Sequence, residues 1–465
     1  NMRKWQWAIV LCVPFFAFIL SGCPWADEDD YISTGSSTTA GGVLAGVGSW
    51  QSVAPWKSND TIQYWWQFSP TIGTFVIITT ITPGVLLLAG REQHTMVWTY
   101  PGTPRFIIWG GRGVGGYLNS GAVWNQQTKV WSGTPVPFTG GWGAGGFGLS
   151  ARIGHTAVWD GQNKIIFGGQ DTSGTILNGG AMYDPSGNNW IYITSPTWIF
   201  SRVGHTANWN GTRMLVFGGY GSTSAGWWGQ PTTSTYLSDL QIYNPTLNTW
   251  APGSISSQPT PRWNHTSVWT GTELIVWGGS SSTYLNNGRR YNYSTDNWTD
   301  VAINRAPAAR EGHTAVFTGN GNNAWNNKMI VWGGGNPRPM NSGGIYDIAL
   351  DQWLPVTDGV LAPISRTNHT AIWTSLQLDE DPLDTNKIRK MIIWGGTDTA
   401  GNQLNSGGIY DPLTNTWEVT QIVTSPPTAR RLHTAVWTGT TMIILGGFDG
   451  AGYLADTWIY TPSAR

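Results

Sequence analysis

The sequence predicts an all-β chain in which short strands repeat as similar units around a closed ring. Three observations carry this. Only 11% of the 465 residues are charged, where a globular domain usually carries about 25%. Aromatic residues reach 13%, with 31 tryptophans and 62 glycines, which is the reverse of a disordered composition. Finally, the seven histidines all stand in one local pattern, roughly every fifty to sixty residues.

Those histidines are His94, His155, His205, His265, His313, His369 and His433, and Thr follows each of them. Three residues earlier stands Arg91, Arg152, Arg202, Arg262, Arg310, Arg366 or Arg430. The apolar run after each His closes on Gly-Gly, at 110–111, 168–169, 218–219, 278–279, 333–334, 395–396 and 446–447. Runs such as HTAVW and MIVWGG are β-branched and aromatic, which suits a pleated surface. Gly-Gly lets the chain turn where a side chain would clash. Six units then place an aromatic seven residues before a Trp: Trp124/Trp131, Tyr183/Trp190, Tyr243/Trp250, Tyr291/Trp298, Tyr346/Trp353 and Tyr410/Trp417. Turn sequences such as Asp411-Pro412-Leu413-Thr414-Asn415 fill the gap. Four strands repeated at this period make the blades of a β-propeller. The motif set Arg-x-x-His-Thr, Gly-Gly and Tyr-x6-Trp resembles the kelch-repeat family over residues 91–465. The resemblance implies a seven-bladed propeller with four antiparallel strands per blade.

The ring needs closing. The seventh unit reaches Tyr460 without a Trp seven residues on, while Gly48-Ser49-Trp50 resembles the fourth strand at Asn248-Thr249-Trp250. Strand 49–54 is therefore expected to complete the last blade, which removes exposed sheet edges. Residues 57–90 are strand-like but carry no Arg-x-x-His, and they are too broken by Thr, Gly and Pro for a membrane helix. They are an irregular insertion or a degenerate eighth blade within a propeller spanning 49–465.

Ahead of the repeats, Arg3-Lys4 precede an uncharged run from Trp5 to Leu20, then Leu20-Ser21-Gly22-Cys23. This resembles a bacterial lipoprotein signal, residues 1–22, with Cys23 the lipidated residue. Residues 23–48, acidic and then Ser/Thr/Gly/Ala-rich, read as a flexible tether. The expected location is the cell envelope, lipid-anchored, at the outer membrane or cell surface.

Repetition separates framework from candidate site. Metal sites need ligands converging on one point, whereas one histidine per blade spreads around the ring, so the histidines read as one structural hydrogen bond per blade. The arginines have two readings. By resemblance to kelch proteins that grip acidic peptides, Arg91, Arg152, Arg202, Arg262, Arg310, Arg366 and Arg430 form an anion-attracting mouth. Alternatively each guanidinium ties adjacent blades through backbone carbonyls. Tryptophans outside the repeat pattern lie in loops: Trp142, Trp227, Trp228, Trp263 and Trp325, where aromatics stack on sugars or anchor a partner. Asp379, Glu380, Asp381 and Asp384 gather hard oxygen donors of the kind calcium takes, but Lys387, Arg389 and Lys390 stand beside them, and a solvated acidic loop is the reading preferred.

A formal charge of -1 provides no net basic field for nucleic acid. A galactose-oxidase-like copper centre needs a Cys crosslinked to Tyr, and no Cys lies beyond residue 23; no cofactor is expected. Two functions from different classes follow. One is a membrane-anchored, non-catalytic and monomeric interaction propeller, its ligand a glycan or an acidic segment of a protein. The other, by resemblance to periplasmic N-acetylneuraminate epimerases, is sugar mutarotation or epimerisation, with Glu92 and Glu311 as the cavity carboxylates.

Overall fold

The computed structural model describes residues 88–100, 102–136, 149–222, 234–320, 326–359, 361–374, 389–420 and 426–462, together with the strands Ser49–Ser52, Gln63–Ser69 and Thr74–Thr80. All belong to one compact unit, Val43–Arg465. The leader, Cys23, the tether, Trp142, Trp227, Trp228, Trp325 and the acidic run Asp379, Glu380, Asp381 and Asp384 lie outside the described residues.

Each unit folds as the motifs predict. In blade four, Thr266–Trp269, Glu273–Trp277, Gly288–Asn292 and Asn297–Asp300 pair antiparallel in chain order. Blades one, two, five and six repeat this arrangement. In blade three the second and third strands run long, Met214–Ser222 and Ser234–Asn244, and an extra strand, Ser201–Val203, joins the sheet. The first strands touch their neighbours in an unbroken cycle, from Thr95–Trp98 through each blade to Thr434–Trp437 and back. They therefore surround the axis, and the protein is a seven-bladed all-β propeller.

Ser49–Ser52 pairs with Thr457–Thr461 as the outer strand of blade seven, in the register Trp50↔Tyr460. That is the Tyr-opposite-Trp pairing of the other blades, such as Tyr183↔Trp190 and Tyr410↔Trp417. Gln63–Ser69 and Thr74–Thr80 form a two-stranded hairpin that, among the described residues, pairs with none of the seven blades.

The Tyr-x6-Trp spacing has a local cause. The hydroxyls of Tyr183 and Tyr243 donate to Asn188 and Asn248 at 2.7 and 2.8 Å, five residues on. The accepting residues turn the chain with positive φ, 50° and 51°, a conformation Asn tolerates. Between blades the core is apolar and fully buried, as where Ile330 and Trp332 meet Met391, Ile393, Tyr410 and Trp417. Lys164 of blade two occupies the place of Met214, Leu274, Met329, Met391 and Met442, is wholly buried, and donates to the carbonyls of Thr95 and Ile107 at 2.7 and 3.1 Å.

Candidate functional site

The histidines form a closed belt. Thr95 Oγ1 lies 3.0 Å from His155 Nε2, and the same contact recurs at every seam, ending with Thr434 and His94 at 2.7 Å. Six of the seven imidazoles also pack edge-on against the aromatic residue before the preceding blade's Gly-Gly; Trp277 and His313 centroids stand 5.1 Å apart. This explains the glycines. A Cβ on Gly278 would sit 2.6 Å from His313 Cε1, and one on Gly279 would sit 2.7 Å from His265 Cβ. Burial, together with nearby cationic groups, lowers all seven histidine pKa values, to about 3 for His205, His313 and His433. Among the described residues no cluster of three or more His, Cys, Asp or Glu gathers around a point.

The arginine guanidiniums bind backbone carbonyls, but within their own blade rather than between adjacent blades. All seven are at most 2% exposed. Arg310 donates Nε to Ala308 O at 2.8 Å and Nη1 to Gly333 O and Ser342 O at 2.8 and 2.7 Å, all within its own blade. The others repeat the bonds to residue i−2 and to the first Gly carbonyl. Arg202 and Arg430 add carboxylates, Asp239 and Asp456. What joins adjacent blades is the arginine main chain: Gly279 N donates to Arg310 O at 2.9 Å, and Arg310 N to Leu285 O at 3.1 Å. Burial lowers the pKa of Arg91, Arg152, Arg262, Arg310 and Arg366 to about 10, within the range where they stay charged at neutral pH. Arg91, Arg152, Arg202, Arg262, Arg310, Arg366 and Arg430 therefore do not line the mouth as exposed cations: a guanidinium forked onto carbonyls in the interior presents no face to a ligand.

Sevenfold regularity ends one residue later. After the framework arginines stand Glu92, Ile153, Val203, Trp263, Glu311, Thr367 and Arg431, each bridged to the residue that follows Gly-Gly in its own blade. The next residues connect blade to blade, as in Gln93 N to Leu432 O at 3.1 Å and Asn264 N to Gly204 O at 3.0 Å. These positions therefore rim the axis at the end where the first strands begin.

Two groups of unlike residues form on this rim. At the seam of blades four and five, Trp263 Nε1 donates to Ser280 Oγ at 2.8 Å, and Ser280 Oγ donates to Glu311 Oε2 at 2.5 Å. Trp263 lies 6.0 and 6.3 Å, centroid to centroid, from Tyr220 and Tyr236 on the long strands of blade three, and all three rings are half-buried. At the seam of blades seven and one, the buried Glu92 carboxylate faces Arg431 at 3.9 Å. Burial raises its pKa, while Arg431 and Arg112 pull the other way. Arg431 lies over Phe448 at 5.2 Å, and Arg112 is exposed.

Trp263 and Glu311, chosen from sequence for different reasons, are thus brought together. Glu92 and Glu311 are held at different seams by different partners. Tyr220, Tyr236 and Ser280 were missed; aligning the seven repeats on Gly-Gly displays Tyr220 and Ser280 as unlike residues at one repeat position.

Fold and motifs together resemble those of kelch-type β-propellers. Comparison with known proteins agrees. Residues 93–323 match the KLHDC2/KLHL20/DRC7 Kelch-repeats domain family, and residues 226–452 the Attractin/LZTR1 beta-propeller family. The chain is also similar to the human Rab9 effector protein with kelch motifs, 28% identical over 147 residues, which is 31% of this chain and 36% of that protein. The match therefore spans about a third of the relative. Kelch propellers typically serve as scaffolds for protein interactions.

Proposed function

We propose that this propeller is a non-catalytic protein-interaction module whose partner docks on the rim that follows the framework arginines. The observation that carries this reading is the break in symmetry. Arg, His, Thr and Gly-Gly recur identically in seven blades, whereas the adjacent rim position holds seven side chains of mixed chemistry. A framework position repeats because every blade has the same structural need; a recognition surface must differ from blade to blade. The half-buried cluster Trp263, Tyr220 and Tyr236 is the anchor for an apolar or aromatic side chain of the partner. Glu311 flanks it on one side of the ring, while Arg431 and Arg112 lie at the other seam. An acidic partner segment would meet those two arginines rather than the buried ring. This reading is preferred to sugar epimerisation because Glu92 is 3% exposed and Glu311 already accepts a hydrogen bond from Ser280.

The experiment is a quantitative comparison of proteins retained from lysate of the producing cells by the wild-type chain and by Trp263→Ala and Arg431→Ala. Proteins retained by the wild type should be depleted at least about tenfold by Trp263→Ala, as expected for an interface anchor worth more than about 1.4 kcal/mol. Equal retention by all three chains refutes the reading. As part of the same proposal, Cys23 carries the lipid that tethers the propeller to the cell envelope; labelled palmitate should enter the wild type and not Cys23→Ser.

A further inference from the structure

At the opposite end of the ring, each first strand finishes on an aromatic residue four places after its histidine. An open-mouthed cavity lies there, lined by Trp98, Trp209, Trp269, Phe317, Trp373 and Trp437. The rest of its wall is Val, Ile and Ala, except for Asn208 and Ser267.

The seven repeats supply their own comparison. Three residues after the histidine, six blades carry Val or Ile, and blade three alone carries a polar residue, Asn208. Two residues after it, six blades carry Ala or Met, and blade four alone carries Ser267. The two departures touch each other across one seam. Ser267 Oγ donates to Asn208 Oδ1, and Asn208 Nδ2 donates to the Ser267 carbonyl at 3.4 Å. As structure, such a pair has no advantage over the Val and Ala found elsewhere, because desolvating its polar groups offsets the bonds it makes. These bonds still leave one Asn208 amide hydrogen and lone pairs on both side chains unspent.

We propose that this cavity binds a flat aromatic ligand bearing a single hydroxyl or amide group, with the ring among the indoles and the polar group on the Asn208–Ser267 pair. A sugar would bring several hydroxyls to a wall that offers one polar pair. A charged ligand would meet no ionisable side chain in the cavity lining. The aromatic group comes either from a free small molecule or from a tyrosine of a partner, and the recognising chemistry is the same. This inference concerns the other end of the axis and does not depend on the rim described above.

Equilibrium dialysis of the full chain against 2-naphthol, naphthalene and N-acetyltyrosinamide tests it. The wild type should take up one equivalent of 2-naphthol and prefer it over naphthalene. Asn208→Val and Ser267→Ala should each weaken 2-naphthol by about 3- to 10-fold, the value of one neutral hydrogen bond, and leave naphthalene unchanged. Both variants restore what the other blades carry, so thermal unfolding should not fall. Uptake of 2-naphthol alone assigns a free ligand; uptake of N-acetyltyrosinamide as well assigns a tyrosyl group. No uptake of either hydroxyl-bearing probe, or a 2-naphthol affinity that both variants leave intact, overturns the proposal.

Discussion

Thr434 Oγ1 and His94 Nε2 lie 2.7 Å apart although 340 residues separate them in the chain. The contact is the seventh of an identical set, and it shows that the belt closes without a gap at the level of its first strands. At the outer edge the ring is completed differently, by Ser49–Ser52 pairing with Thr457–Thr461. Thr434→Val is therefore expected to cost the same as Thr266→Val, about 1–2 kcal/mol. Removing residues through 54 should instead leave the Thr457–Thr461 edge open and promote association. Chemical unfolding checks the first expectation, and light scattering of the truncated chain checks the second.

Acid should destabilise the fold steeply. Burial lowers the pKa of all seven histidines below the ordinary value, to about 3 for three of them. The unfolded chain takes up protons below about pH 6.5, while the folded belt does not. The stabilisation is thus complete above pH 6.5 and is lost as pH falls toward the folded-state values. All seven histidines act in the same direction, so the loss accumulates around the belt as pH falls below about 6.5. Urea midpoints at pH 7.5 and 5.5 should differ strongly; equal midpoints contradict a neutral, buried belt.

Much of this architecture is legible because the chain states it seven times. Arg, His and Gly-Gly mark every blade, and Ser49-Trp50 reads as a fourth strand because Thr249-Trp250 and Thr416-Trp417 are like it. What repetition hides is where a repeated side chain points. Nothing in Arg-x-x-His distinguishes a guanidinium aimed at solvent from one forked onto Gly333 O and Ser342 O, since both readings use the same residue at the same spacing. Contacts on the rim were less legible still. Ser280 and Glu311 meet because blades four and five are neighbours, and Tyr236 reaches Trp263 because the third strand of blade three runs long. Neither is local in sequence.

The framework role of the arginines has its own test. Arg310→Met should cost about 3–5 kcal/mol, because the carbonyls of Ala308, Gly333 and Ser342 lose their donor in the interior. Arg310→Lys should recover little, since an ammonium lacks the planar fork. Thermal or urea unfolding of the two variants decides it; native stability in Arg310→Met would return the residue to the candidates for ligand contact.

Glycine substitutions separate crowding from mere turn chemistry. Gly278 has φ +67° and no room for a Cβ beside His313, whereas nothing lies within 4 Å of a Cβ on Gly179. Gly278→Ala should lose about 2–4 kcal/mol through strain and overpacking, and Gly179→Ala should change stability by less than about 1 kcal/mol. Unfolding midpoints of the pair provide the comparison.

The central claim is that the partner meets the rim that follows the arginines. A photo-crosslinking amino acid at Val114, 91% exposed in the blade-one loop on that side, can be compared with one at Leu247, 67% exposed in a turn at the other end. In the producing cells, light should generate a discrete crosslinked protein from position 114 and none from 247. The same adduct from position 247, with none from 114, would contradict the account.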